Sequence, residues 1–152
     1  MRFSTGVVAA LAALSIVPMA PAHASAGGDA EKVRRLDIML MVSALRCRTT
    51  SDGFQSDYDN FSSAHLTELN AAGTTLKKSL SANYGETGSN RALDKISTSM
   101  ANTYGQGHPW LNCAELKSAT QSLAQNRAPG ALLAAADALL GDSGRVSLTA
   151  AY

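Results

Sequence analysis

The chain has 152 residues, a length that corresponds to one domain. It carries 13 Lys and Arg against 12 Asp and Glu, so the charges nearly balance. This balance argues against a nucleic-acid-binding protein, which normally carries a basic face or stripe, and it gives no support for a strongly anionic partner. The sequence also contains no phosphate-binding glycine loop and no Gly-x-Ser-x-Gly nucleophile motif.

An export signal occupies the first 24 residues. Arg2 provides a positive n-region, residues 6–17 form an apolar h-region, and Ala22-His23-Ala24 is a small-x-small cleavage site. Cleavage after Ala26 is the close alternative. The apolar run is shorter than the roughly 20 residues that a transmembrane helix needs. The sequence therefore predicts a signal peptide, a periplasmic or secreted mature chain, and no transmembrane segment after cleavage.

The sequence has two cysteines, Cys47 and Cys113, and both lie in the mature chain. In an oxidising compartment, an isolated pair most simply forms one structural disulfide. The alternative is a pair of buried thiols or a redox pair, although redox motifs usually keep their cysteines close together, as in C-x-x-C. We therefore predict a structural disulfide.

Apolar residues recur at helical spacing through the mature chain. The predicted helices cover about residues 29–48, 56–82 and 90–104, then a stretch from 113 towards Pro129, and finally 129–140. Asp29 is the expected N-cap of the first helix, Gly73 is a soft spot in the second, and Asn112-x-x-Glu115 is a capping box at the start of the fourth. The sequence predicts an all-α fold over residues 25–152, a bundle of four to five helices stapled by one disulfide. Residues 145–152 are expected to form a flexible tail or an edge segment.

Two histidines remain in the mature chain. His65 lies between Phe61 and Leu69 at helical spacing, which favours a core histidine with a hydrogen-bond partner over a ligand or general base. No second ligand at the spacing of a metal site accompanies it, and we predict neither a metal nor a cofactor. His108 is the only candidate catalytic residue.

The most distinctive segment is the glycine-bracketed loop that begins at Gly105 and contains His108 and Trp110, the only tryptophan of the chain. One interpretation is structural, with Trp110 closing the end of the bundle beside the disulfide. The other is a loop that presents its side chains to a ligand or partner. The candidate binding residues are Trp110, His108, Tyr104, Arg46 and Arg48. The two arginines, at a helix C-terminus, are also explained by a favourable interaction with the helix dipole.

The leading functional hypothesis is a non-enzymatic periplasmic protein that binds another protein or an envelope component. The alternatives are a small hydrolase or ligand-binding enzyme that uses His108, and an immunity or inhibitor protein. In layout, the chain resembles the small periplasmic acid-stress chaperones, which are helical and carry one long-range disulfide. That resemblance implies opening of the fold in acid, and it assigns no role to any individual residue.

Overall fold

The computed structural model describes residues 23–141, which form five helices and, within that range, no strand. The helices are α1 (His23–Cys47), α2 (Gln55–Ala64), α3 (Leu66–Gly105), α4 (Cys113–Gln125) and α5 (Ala131–Leu140). The prediction of an all-α bundle with one disulfide is confirmed. Residues 1–22 of the predicted signal peptide and the predicted tail at 145–152 lie outside the described residues.

The first helix is the centre of the bundle, as its nearly continuous apolar surface predicts. It contacts each of the other four helices, and Leu36, Met39, Leu40 and Ala44 are fully buried in the main core. Within the described part of the chain, no helix combines the length and apolar character needed to cross a bilayer.

The start of α1 differs from the prediction. The helix begins at His23, so Asp29 is an interior residue and not the expected N-cap. Helix α1 therefore overlaps the predicted cleavage region. Cleavage after Ala24 or after Ala26 would shorten α1 by two or four residues, and Ala30, the first residue of the core, lies beyond both cuts.

The predicted helix over 56–82 is in fact interrupted, and at His65 rather than at Gly73. His65 has φ −112° and ψ 14°, and it separates α2 from α3. Its buried imidazole donates from Nε2 to the carbonyl oxygen of Leu123 in α4, at 2.9 Å. Gly73 lies inside α3, with open space around the position that a Cβ would take.

Helix α3 has two arms, residues 66–84 and 86–105, that meet at Gly85, where φ is 71° and ψ is 176°. Leu76 and Leu80 of the first arm share a buried cluster with Ile96 of the second arm and Ala30 of α1. A straight helix would separate residues 76 and 96 by about 30 Å, since each residue advances the helix by about 1.5 Å. The chain therefore turns back sharply at Gly85, inside the predicted 83–89 loop. The second arm begins at residue 86, before the start near residue 90 that the sequence predicts for the third helix.

Both hydrogen bonds of the predicted capping box at the start of α4 are present. The Asn112 side chain accepts from the backbone N–H of Glu115 at 3.0 Å, and the Glu115 carboxylate accepts from the backbone N–H of Asn112 at 2.8 Å. At the far end of the chain, α5 ends at Gly141, which has a positive φ of 55°. These two helix ends lie on either side of the loop that carries His108.

Candidate functional site

The loop between α3 and α4 is anchored by the disulfide. Cys47, the last residue of α1, is bonded to Cys113, the first residue of α4, with the two Cα atoms 5.8 Å apart. The predicted pairing is therefore confirmed. Because the loop ends at Cys113, the disulfide holds it against the C-terminal end of the central helix.

Backbone groups occupy both ring nitrogens of His108. Its Nε2 lies 2.8 Å from the carbonyl oxygen of Leu139, and because a carbonyl can only accept, Nε2 carries the hydrogen and donates it. Its Nδ1 accepts from the backbone N–H of Leu111 at 3.2 Å and, over a longer 3.5 Å, from that of Trp110. The imidazole thereby ties the loop to α5, and these bonds leave neither nitrogen free for proton transfer.

The His108 ring contacts two other aromatic rings. It stacks on Tyr104 with a centroid distance of 5.4 Å, and it meets the Trp110 ring edge-on at 4.6 Å. Tyr104 is 1% exposed, so it supports the loop from within the core. Burial raises the pKa of Tyr104 above its ordinary value, and the nearby Arg35 guanidinium opposes part of that shift.

Trp110 is held at the surface with 51% of its area exposed. Its indole packs on Gly141: a Cβ at that glycine would lie 2.7 Å from the Trp110 ring. A methyl group could not be accommodated there without a shift of the indole. Trp110 is therefore a fixed, half-exposed aromatic surface at the end of the bundle.

The two candidate arginines lie differently. The guanidinium of Arg46 lies against Gly107, where a Cβ would be 3.0 Å from its Nη1. Gly107 has φ +121°, so its backbone conformation also disfavours any other residue. Both arginines are exposed, but Arg48 lies one residue beyond α1 and is not part of this contact.

A cavity of about 320 Å³ opens beside the disulfide, between the end of α1 and the loop. The residues that line it include both cysteines and Ser43, Arg46, Gln106, His108, Asn112 and Leu116. The sequence interpretation did not include Ser43, Gln106 or Asn112 among the candidate residues. The spacing of Ser43 from Arg46 places both on one side of α1, but nothing local indicates that the distant loop closes over them.

His65, the other histidine, is 4% exposed and bonded to Leu123, as expected for a core histidine. Its Nδ1 lies 3.4 Å from a carboxylate oxygen of Glu68. No group of three His, Cys, Asp or Glu residues within 23–141 is arranged to hold a metal ion. Comparison with known family models, curated proteins and solved structures finds no match for this chain.

Proposed function

We propose that the protein is exported and acts without catalysis, by binding another protein of the cell envelope or the extracellular space through Trp110 and the loop around it. The observation that carries this proposal is the half-exposed Trp110, fixed in place on Gly141 and His108. Tryptophan is the residue type most enriched among binding hot spots. A ring that is already fixed loses little conformational freedom when a partner covers it.

The surrounding chemistry favours binding over catalysis. His108, the only candidate general base of the loop, uses both ring nitrogens to bond backbone groups. A general base must reach the proton that it abstracts, and here the imidazole could do so only by giving up a bond that holds the loop. The rigid loop is better suited to presenting a surface than to moving protons.

Export is supported by the signal-like N-terminal sequence and by the disulfide, since disulfides persist mainly in oxidising compartments. The intact mass of protein recovered from cells tests this part of the proposal. We expect a mass that begins at Ser25 or Gly27, with thiols that are alkylated only after reduction. A mass that retains residues 1–24, or thiols that are alkylated without reduction, would contradict export.

The binding surface is tested by photo-crosslinking in living cells. A benzophenone amino acid at Pro109, exposed beside Trp110, should give a discrete crosslinked partner, and the same group at Leu66, which is 55% exposed on α3, is the matched control. We expect Trp110→Ala to abolish the Pro109 crosslink while the far-ultraviolet circular dichroism stays unchanged. Equal crosslinking at the two positions, or a Pro109 crosslink that survives Trp110→Ala, would refute the proposed surface.

A further inference from the structure

The cavity beside the disulfide is distinct from the exposed Trp110 surface, because Trp110 does not line it. Its volume of about 320 Å³ is near the lower end of the roughly 300–1,000 Å³ range of small-molecule sites. A site of this size takes a small molecule or a chain end rather than a folded partner.

Among the residues that the structure describes, the lining carries a positive charge and no carboxylate that would balance it. Arg46 is the only charged side chain among the lining residues, and none of the lining residues is a carboxylate. No carboxylate within residues 23–141 forms an ion pair with Arg46. The nearest acid in sequence to the loop, Glu115, is bonded to the backbone N–H of Asn112 in the capping box. Arg46 is therefore available to an anion.

The exposed guanidinium of Arg46 lies beside the loop. It lies flat against Gly107, within about 3.0–3.4 Å of the position that a Cβ would take there. Arginine pairs with a carboxylate through two parallel N–H donors, so its fork geometry suits this class of ligand. Any side chain at Gly107, which has a positive φ, would meet the Arg46 guanidinium.

A second polar group faces the same cavity. Ser43 is 2% exposed, and the one partner that the described residues give its hydroxyl is the sulfur of Met39, at 3.8 Å. Sulfur is a weak acceptor, so this hydroxyl can exchange its bond to Met39 for a stronger one to a ligand oxygen. The side-chain amides of Gln106 and Asn112 add neutral polar groups to the lining, and Leu116 adds an apolar one.

We propose that this cavity binds a small carboxylate, with the carboxylate group on Arg46 and Ser43. One guanidinium matches the single charge of a carboxylate. The same chemistry can come from a free small organic acid or from the C-terminal carboxylate of a peptide. The two sources differ in the group next to the carboxylate, so matched probes separate them.

Binding is measured by calorimetry and by the fluorescence of Trp110, which contacts the cavity-lining His108 and is the only tryptophan of the chain. The probes are L-lactate for a free acid and N-acetyl-L-alanine for a peptide C-terminus, each compared with its neutral amide. We expect at least one of the acids to bind and its amide not to bind. The tighter acid identifies the source. Absence of heat and of a fluorescence change for both acids at up to about 10 mM, a range that includes millimolar affinities, would overturn the proposal.

Variants distinguish binding of the acid in this cavity from a general attraction to positive charge at this end of the molecule. Arg46→Gln should weaken binding of the acid about tenfold or more, Arg46→Lys should weaken it less, and Ser43→Ala should weaken it several-fold. Arg48→Gln is the matched control, because it removes an exposed arginine from the same end of α1 without touching the cavity, and it should leave the affinity unchanged. Equal loss in Arg46→Gln and Arg48→Gln, or binding of the amides as tight as that of the acids, would refute the site. Circular dichroism of each variant shows that the fold is intact.

Discussion

His108 donates its Nε2 hydrogen to the carbonyl oxygen of Leu139 over 2.8 Å, and this bond joins the loop after α3 to the last turn of α5. The same ring accepts a hydrogen bond from the backbone N–H of Leu111 and contacts two aromatic side chains. A residue that sequence inspection singles out for chemistry thus acts here as a link between two segments that are 31 positions apart.

His108→Ala should lower the free energy of unfolding by about 2 kcal/mol, since it removes hydrogen bonds on both sides of the ring and the stacking on Tyr104. Urea unfolding, followed by circular dichroism, measures this loss. Gln106→Ala is the control in the same loop, because Gln106 is exposed, and it should change stability by less than about 0.5 kcal/mol. Identical urea midpoints for His108→Ala and the parent protein would contradict the structural role.

Removal of the disulfide should be the more severe change. The paired substitution Cys47→Ala with Cys113→Ala releases a link between residues 66 positions apart, and the loop-entropy model assigns it about 4 kcal/mol. Hydrogen exchange should also accelerate in residues 106–112, because their anchor to α1 is lost. Guanidinium unfolding and amide exchange measure the two effects. A variant that unfolds at the same midpoint, with unchanged exchange in this loop, would show that the cross-link contributes nothing to the fold.

Alkaline pH should destabilise the protein through two tyrosines. Burial raises the pKa of Tyr58, and the Asp37 carboxylate, which accepts its hydrogen bond at 2.9 Å, raises it further. Burial also raises the pKa of Tyr104. The folded state therefore keeps these phenolic protons to a higher pH than the unfolded state does. The stabilisation is complete below about pH 10, the ordinary value for tyrosine, and is lost as the pH rises towards the folded-state pKa.

Above about pH 10, each of these two tyrosines ionises in the unfolded state but stays protonated in the folded state. For each of them, the free energy of unfolding should therefore fall by about 1.4 kcal/mol per pH unit. Tyr58→Phe should reduce this slope, although it also removes a hydrogen-bond donor from the buried Asp37 and so costs about 1–3 kcal/mol at neutral pH. Urea midpoints measured against pH test both statements. The comparison variant is Tyr84→Phe, which changes an exposed tyrosine. A Tyr58→Phe slope equal to that of the parent would argue against the raised pKa.

Two glycines in the same helix should respond in opposite directions to alanine. Gly85 sits at φ +71° in the sharp turn of α3, so Gly85→Ala should destabilise by about 1 kcal/mol or more. Gly73 is helical, with open space around the position of a Cβ, so Gly73→Ala should stabilise by about 0.5–1 kcal/mol. Thermal unfolding of the two variants measures both changes. Destabilisation by Gly73→Ala would show that the first arm of α3 is not helical at that point.

The helix boundaries that sequence inspection predicted correctly have causes within a few residues. The capping box at Asn112 and Glu115 fixes the start of α4 from four consecutive positions, and the glycine at 141 marks the end of α5. The break at His65 has a distant cause, because the imidazole bonds the carbonyl of Leu123, 58 positions away. Local helix propensity pointed instead to Gly73, where nothing in the fold favours an interruption.

The candidate site also has one part that the sequence indicates and one part that depends on the fold. Glycine content alone identified the loop that carries His108 and Trp110. The cavity could not be foreseen, because it exists only where this loop meets Ser43 and Arg46 of α1. The bonds that occupy both nitrogens of His108 likewise involve a carbonyl of α5, whose position depends on the packing of the whole bundle.

The position of the disulfide also determines how the molecule tolerates cleavage of its backbone. Cys47 and Cys113 close a covalent ring that contains α2 and all of α3. One peptide bond cut by a protease inside that ring leaves a single covalently connected molecule, whereas a cut between α4 and α5 leaves α5 held by noncovalent contacts alone. A single proteolytic event in the exposed segment from Asn126 to Gly130 would therefore sever α5 from the disulfide-linked part of the molecule.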